Sequence, residues 1–156
     1  MLLVISRVKK AYVEVAGERV SETGAGLLIL AGVIEGDTTE DAEWLSRKVA
    51  AMRIFEDDAG KMNRSVLDTE GAALVVSNFT LAADCRRGNR PSFSAAMEPV
   101  GANDLYLYFC EKLRGEGVRD VQTGVFRADM QVGSIGDGPI TIVLDSKVRK
   151  EPRGSN

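Results

Sequence analysis

The chain contains no histidine. That absence removes Ser-His-Asp and Cys-His nucleophilic catalysis, HExxH metalloproteases and every mechanism that needs an imidazole base. Cysteine is almost absent as well. Cys85 and Cys110 share no CxxC spacing, so neither a disulfide framework nor a zinc knuckle is indicated, and a reducing compartment is expected. Long apolar runs are missing: the longest, Gly26–Ile34, is too short to span a bilayer, and basic residues follow closely on Met1–Ile5. The expectation is a cytoplasmic protein with no membrane partner. Gly24-x-Gly26 lacks the third glycine of a dinucleotide fingerprint, and no GxxxxGK[ST] occurs, so nucleotide phosphate binding has no support. A net charge of −3 and a pI near 5.1 argue against coating nucleic acid by bulk electrostatics, although a local basic patch is compatible with them.

The residues that are present suit one domain. A chain of 156 residues, 44% hydrophobic and 28% charged, can bury a core without disulfides or metal. Leu2–Val8 and Ala11–Val15 alternate apolar and polar positions as strands do, and Ala16-Gly17 turns the chain into a third strand at Glu18–Ser21. Gly26–Val33 is continuously apolar, as in a strand buried on both faces. A helix follows, with Asp37 as its cap, Glu40 at the capping-box position and Ala42, Leu45, Val49 and Met52 as its inward stripe. Glu56–Lys61 reads as a turn. Its acidic run, Glu56, Asp57 and Asp58, lacks the ligand spacing of a calcium loop and is expected to be exposed rather than metal-binding.

Ala72–Asn78 is a second buried strand. Pro99 opens a second helix in which Leu105, Tyr108, Phe109 and Leu113 share a face. Val118–Gln122, Met130–Gly133 and Ile140–Leu144 complete the strands, the last two separated by a Gly136-Asp137-Gly138-Pro139 turn. Strands in runs with few helices predict an α+β fold: a largely antiparallel, barrel-like sheet with two or three flanking helices. The domain is expected over residues 1–145, and a basic, disordered tail over 146–156.

Three stretches could carry chemistry. Ser77, Asn78, Phe79 and Thr80 place two hydroxyls and an amide at the end of a buried strand. They could serve only local backbone hydrogen bonds; without a base Thr80 is a poor nucleophile, whereas backbone N–H groups there could form an oxyanion hole. Arg86, Arg87 and Arg90 surround Gly88, a pattern that suits either phosphate contact or a solvated loop. Gly138-Pro139 fits a hairpin turn, or a peptide bond of the one kind that readily goes cis.

Together these stretches resemble the D-aminoacyl-tRNA deacylase family, also called D-tyrosyl-tRNA deacylases. The likeness runs from Met1 to about Leu144. It is carried by Arg7-Val8, Gly24 to Leu28, Arg53-Ile54-Phe55, Gly60 to Asn63, Ser77 to Asp84, Arg87 to Phe93, and Asp137 to Thr141. The family's usual residues are replaced by Ser6 before Arg7, by Asn78 in the Ser-Gln-Phe-Thr-Leu motif, and by Gly136 two places before Gly138.

The resemblance implies a homodimeric hydrolase that uses neither metal nor cofactor. Its substrate would be aminoacyl-tRNA, cleaved at the 3′-terminal ester when the amino acid is D-configured or glycine. It further implies a cis Gly138-Pro139 working in the partner's pocket to select chirality, and backbone donors at Phe79 and Thr80. The substrate's own 2′-hydroxyl would help to activate water. Met130 and Arg7 would assist substrate binding, with Arg86, Arg87 and Arg90 at the tRNA. Two other readings compete. A relative that edits L-alanine carries a different motif in place of residues 77–81, and a non-catalytic nucleic-acid-binding dimer would have lost activity through Asn78.

Overall fold

In the computed structural model the described residues are 1–152. In chain order the elements are β1 (Leu2–Val15), β2 (Glu18–Thr23), β3 (Gly26–Gly32), α1 (Thr39–Ala51), β4 (Phe55–Glu56), β5 (Met62–Arg64), β6 (Ala72–Ser77), α2 (Pro99–Gly115), β7 (Val121–Thr123) and β8 (Met130–Asp145).

β1 organises the sheet. The two strand stretches read from its alternation are one strand, along one edge of which β2 and β3 lie end to end, Ala11 opposite Thr23 and Val8 opposite Gly26. Ala16 and Gly17, both at positive φ, turn the chain between β1 and β2. β8 runs antiparallel along the other edge of β1. The sheet is more mixed than the strand runs suggested, because the helical connections return β6 parallel to β3 and β7 parallel to β6. It curls on itself far enough for the Glu22 N–H of β2 to donate to Gln122 Oε1 of β7 over 3.0 Å.

One core cluster packs Leu3, Ile5, Ile29 and Val75 of the sheet against Leu45 and Val49 of α1 and Phe109 and Leu113 of α2. A second lies around Val8, Val13, Leu74 and Val76. Burying each such side chain contributes about 1.5–3 kcal/mol, so the two helices are held chiefly by their apolar faces.

Several local expectations are corrected. The cap of α1 is Thr38, and the capping-box partner is Asp41. Asp37 is occupied elsewhere, accepting from the Ile34 N–H over 2.6 Å and pairing with the Met1 ammonium. On α2 the expected Leu105, Phe109 and Leu113 are joined in the core by Tyr106, and Tyr108 packs half-buried against them and donates its hydroxyl to Glu43 of α1 over 2.6 Å.

Met130–Gly133 and Ile140–Leu144 are not two strands joined by a turn. They belong to the single strand β8, and Gly136 to Pro139 form part of a bulge in it. The tail expected to be disordered from residue 146 begins as a 3₁₀ helix, Ser146–Lys150. Ser146 is buried and accepts from the Met1 ammonium over 2.7 Å, and Arg149 reaches Asp41 at 3.1 Å and Glu40 at 3.2 Å. Residues 153–156 of that tail lie outside the described residues.

Candidate active site

β6 is the innermost path to the site. Ala72 to Val76 are all buried between β3 and β7, so the strand delivers its carboxyl end at a fixed place. Asn78 N–H still donates to the Ala31 carbonyl over 2.8 Å; the chain then tightens into a 3₁₀ helix, Phe79–Ala82. Gly32 on β3 makes room for this turn, since a Cβ there would stand 2.9 Å from Leu81 Cβ and 3.1 Å from the Asn78 oxygen. Beneath the strand, the buried Tyr106 hydroxyl donates to the Val75 carbonyl over 2.6 Å, and burial pushes its pKa well above the ordinary phenol value.

The N–H groups of Phe79 and Thr80 are the first of the 3₁₀ helix, and among the described residues neither has an acceptor. The Thr80 hydroxyl donates to Asn78 Oδ1, and both Phe79 and Thr80 are exposed. The Phe79 ring meets Phe93 edge to face at 5.2 Å.

These residues form one wall of a cavity of about 900 Å³, near the top of the roughly 300–1,000 Å³ range typical of ligand pockets. Leu28, Leu30 and Val76 line it from the sheet, Pro99 and Ala102 from α2, and Phe126 to Met130 from the approach to β8. Met130 is locked in place: its sulfur accepts from the Val125 N–H at 3.4 Å, and a Cβ at Gly124 would lie 2.6 Å from that sulfur.

Arg7, Gly138 and Pro139 are gathered at a different place. Ser6 pairs with Thr141 and Val8 with Gly136, so the residues from Asp137 to Ile140 stand opposite Arg7 alone and the strand bulges. Gly138 and Pro139 are exposed, and the bond between them is cis. Arg7 is 6% exposed and does not line the cavity. It donates from Nε to the Asp137 carbonyl at 3.0 Å and from Nη1 to the Ile54 carbonyl at 2.9 Å, and pairs with the Asp137 carboxylate at 3.3 Å. The four motif residues and Met130 thus share a cavity, whereas Gly138-Pro139 shares its surroundings with Arg7.

A sequence profile described as D-Tyr-tRNA(Tyr) deacylase matches residues 4–145. The chain belongs to that family. A D-aminoacyl-tRNA deacylase of Myxococcus xanthus is 51% identical over 154 residues, 99% of this chain and 100% of that protein. One from Chlorobaculum tepidum is 52% identical over 146 residues, covering 94% and 97%. Among solved structures, a c-Myc DNA Unwinding Element Binding Protein superposes with a TM-score of 0.88 at 39% identity, covering 93% of this chain and 98% of that one. A probable eukaryotic D-amino acid tRNA deacylase shares the fold, with a TM-score of 0.79 at 16% identity and coverage of 92% and 97%.

In this deacylase-family chain, the arginine loop is tied to the cavity wall at its base. Asp84 and Ser92 exchange backbone hydrogen bonds of 2.8 and 2.9 Å, and Phe93 next to them touches Phe79. Arg86 is forked on the Asp84 carboxylate at 2.9 and 2.6 Å, which holds that carboxyl below its ordinary pKa. Arg87 and Arg90 are exposed, without an ion pair among the described residues. The turn expected over Glu56–Lys61 spans Asp57 to Lys61, Glu56 being the last residue of β4, and Asp57 accepts from the N–H groups of Ala59 and Lys61. No helix is long and apolar enough to cross a membrane among the described residues.

The sequence reading missed Phe93, Ala102, Phe126 and Arg127. The first three look like ordinary core or loop residues. Arg127 carried one signal, the single cation between Gly124 and Met130.

Proposed function

We propose that the protein hydrolyses the ester joining a D-amino acid, or glycine, to the 3′-terminal adenosine of tRNA, and that it does so as a cytoplasmic homodimer. The observation that carries this is the pair of unpartnered N–H groups, Phe79 and Thr80, at the wall of the cavity. Water adds to the ester carbonyl carbon, and the carbonyl oxygen gains negative charge within reach of these donors. The C–O bond to the ribose then breaks, one water proton passing to the leaving 3′ oxygen and the other to solvent, which leaves a carboxylate and a 3′-hydroxyl. Fixed backbone donors lower the barrier because they need no reorganisation as charge develops, and one such donor contributes about 2.7–4 kcal/mol. The family membership supports the substrate class, and the missing histidine agrees with side chains having a small part in the proton transfers.

Selection against L-amino acids falls to Gly138-Pro139 of a second copy. Two features support this: the pair is exposed on a bulge, and the cavity of its own chain is lined without it. Backbone atoms set in the space an L side chain would need exclude it by collision; glycine has no side chain to collide.

Mixed dimers test the arrangement. Gly32→Val displaces the motif turn, and Gly138→Val displaces the bulge, since a Cβ at Gly138 would lie 2.5 Å from the Ile140 nitrogen. Gly32→Val alone should be inactive, and Gly138→Val alone should cleave L-tyrosyl-tRNA as well as the D ester. In heterodimers the one working site lies in the Gly138→Val chain and faces the intact Gly138-Pro139 of the Gly32→Val chain, so the L ester should again be spared. Continued cleavage of the L ester by verified heterodimers would place both elements within one chain's site.

A further inference from the structure

We propose that Arg127 binds the phosphodiester on the 5′ side of the terminal adenosine and so draws the tRNA end into the cavity. The inference rests on the deacylase reading and adds a residue to it. The residues around the cavity are almost entirely apolar or neutral; the charged ones are Arg127 and Asp129. The body of the cavity therefore suits an uncharged nucleoside and an amino-acid side chain. The strand that follows the nucleoside is anionic, so the first phosphate must be met near the mouth.

Arg127 is exposed and lines that cavity together with Thr80, and its guanidinium makes no ion pair or hydrogen bond among the described residues. Asp129, two residues on, does not engage it. An arginine left unneutralised beside the motif turn presents a planar set of donors of the kind that matches phosphate oxygens.

The backbone fixes where this side chain stands. The Ala128 N–H donates to the Val125 carbonyl over 3.1 Å, closing a β-turn whose third residue is Arg127, at φ 65. That turn position favours glycine when φ is positive, and a residue with a Cβ is disfavoured there. Phe126 anchors the turn, stacking on the buried Tyr106 ring at 6.3 Å. The guanidinium is thus carried on a short, fixed support rather than on a free loop.

Arg127→Gly removes the cation while suiting the turn, so the variant should fold at least as stably as the parent. Arg127→Lys keeps a charge and loses the fork. Two substrates separate the roles: D-tyrosyl-tRNA, which has the phosphodiester, and D-tyrosyl-adenosine, which has none. For Arg127→Gly, KM for D-tyrosyl-tRNA should rise about tenfold with kcat little changed, the loss of one charge-assisted contact. The loss on D-tyrosyl-adenosine should be several-fold smaller. Arg127→Lys should recover part of the difference and keep the salt slope, whereas Arg127→Gly should lower the slope of log KM against log salt by about 0.7, the value for one phosphate contact on a single strand. Equal effects on the two substrates, or an unchanged KM for tRNA, would overturn the proposal. Wild-type protein that cleaves neither substrate would instead remove the deacylase reading, and this inference with it.

Discussion

Arg7 donates from Nε to the backbone carbonyl of Asp137 over 3.0 Å, so the exposed Gly138-Pro139 pair hangs from a side chain that is itself buried. Arg7→Ala would leave the carbonyls of Asp137 and Ile54 without their donor, at about 1–3 kcal/mol each. Stability in urea should fall by a few kcal/mol, and cleavage of L-tyrosyl-tRNA should increase relative to D-tyrosyl-tRNA. A loss of stability with the D/L ratio unchanged would show that Arg7 supports the fold but not the selection.

The Thr80 hydroxyl is a donor to Asn78 Oδ1, which is not the arrangement of an activated nucleophile. Thr80→Ala should therefore keep its rate within about tenfold, or about 1.4 kcal/mol of barrier, provided the turn is retained. Near-complete loss of turnover, together with an aminoacyl ester trapped on Thr80 of the wild type, would establish a covalent route instead.

Acid sensitivity should trace in part to Asp41. Burial alone would raise its carboxyl, but hydrogen bonds from the Thr38 N–H and the Arg149 guanidinium prevail and bring it down to about 2 from an ordinary 3.8. A depressed carboxyl stabilises the fold fully above its unfolded value, and that contribution, about 2 kcal/mol, fades as pH falls from about 4 toward 2. Urea melts across that range should show the wild type losing stability more steeply than Asp41→Asn, which should start lower at pH 7. Parallel curves would remove Asp41 from the account.

Within the arginine loop the three guanidiniums are unequal. Arg86 is already forked on Asp84, whereas Arg87 and Arg90 have no such partner among the described residues. Neutralising Arg87 and Arg90 together should weaken tRNA binding several-fold and lower the salt slope, each lost phosphate contact removing about 0.7–0.9 from it. Arg86→Ala should do less. The reverse ranking in a titration at fixed salt would move the contact to the Asp84–Arg86 pair.

The residues that declare the site were readable because their chemistry is local. Ala72–Val76 is apolar enough to fix a buried strand, and Ser77 to Thr80 follow it directly; these four line one cavity with Met130. What could not be read was pairing. Gly136 to Pro139 have the composition of a hairpin turn, and only the register of β8 against β1, with Arg7 opposite, reveals a bulge within a continuous strand. The cap of α1 is Thr38 and not Asp37 because Asp37 is recruited by Met1, a contact between segments far apart in the chain. The ordered start of the tail is hidden for a similar reason: nothing in residues 146–150 shows that Arg149 will meet Asp41.

Initial rates of hydrolysis of D-tyrosyl-tRNA and L-tyrosyl-tRNA by the same preparation, with glycyl-tRNA as a third substrate, test the central claim most directly. Rapid cleavage of the D-tyrosyl and glycyl esters with the L-tyrosyl ester spared is the predicted result. Equal cleavage of the D and L esters would contradict selection by the Gly138-Pro139 bulge, and no cleavage of either would contradict the deacylase function itself.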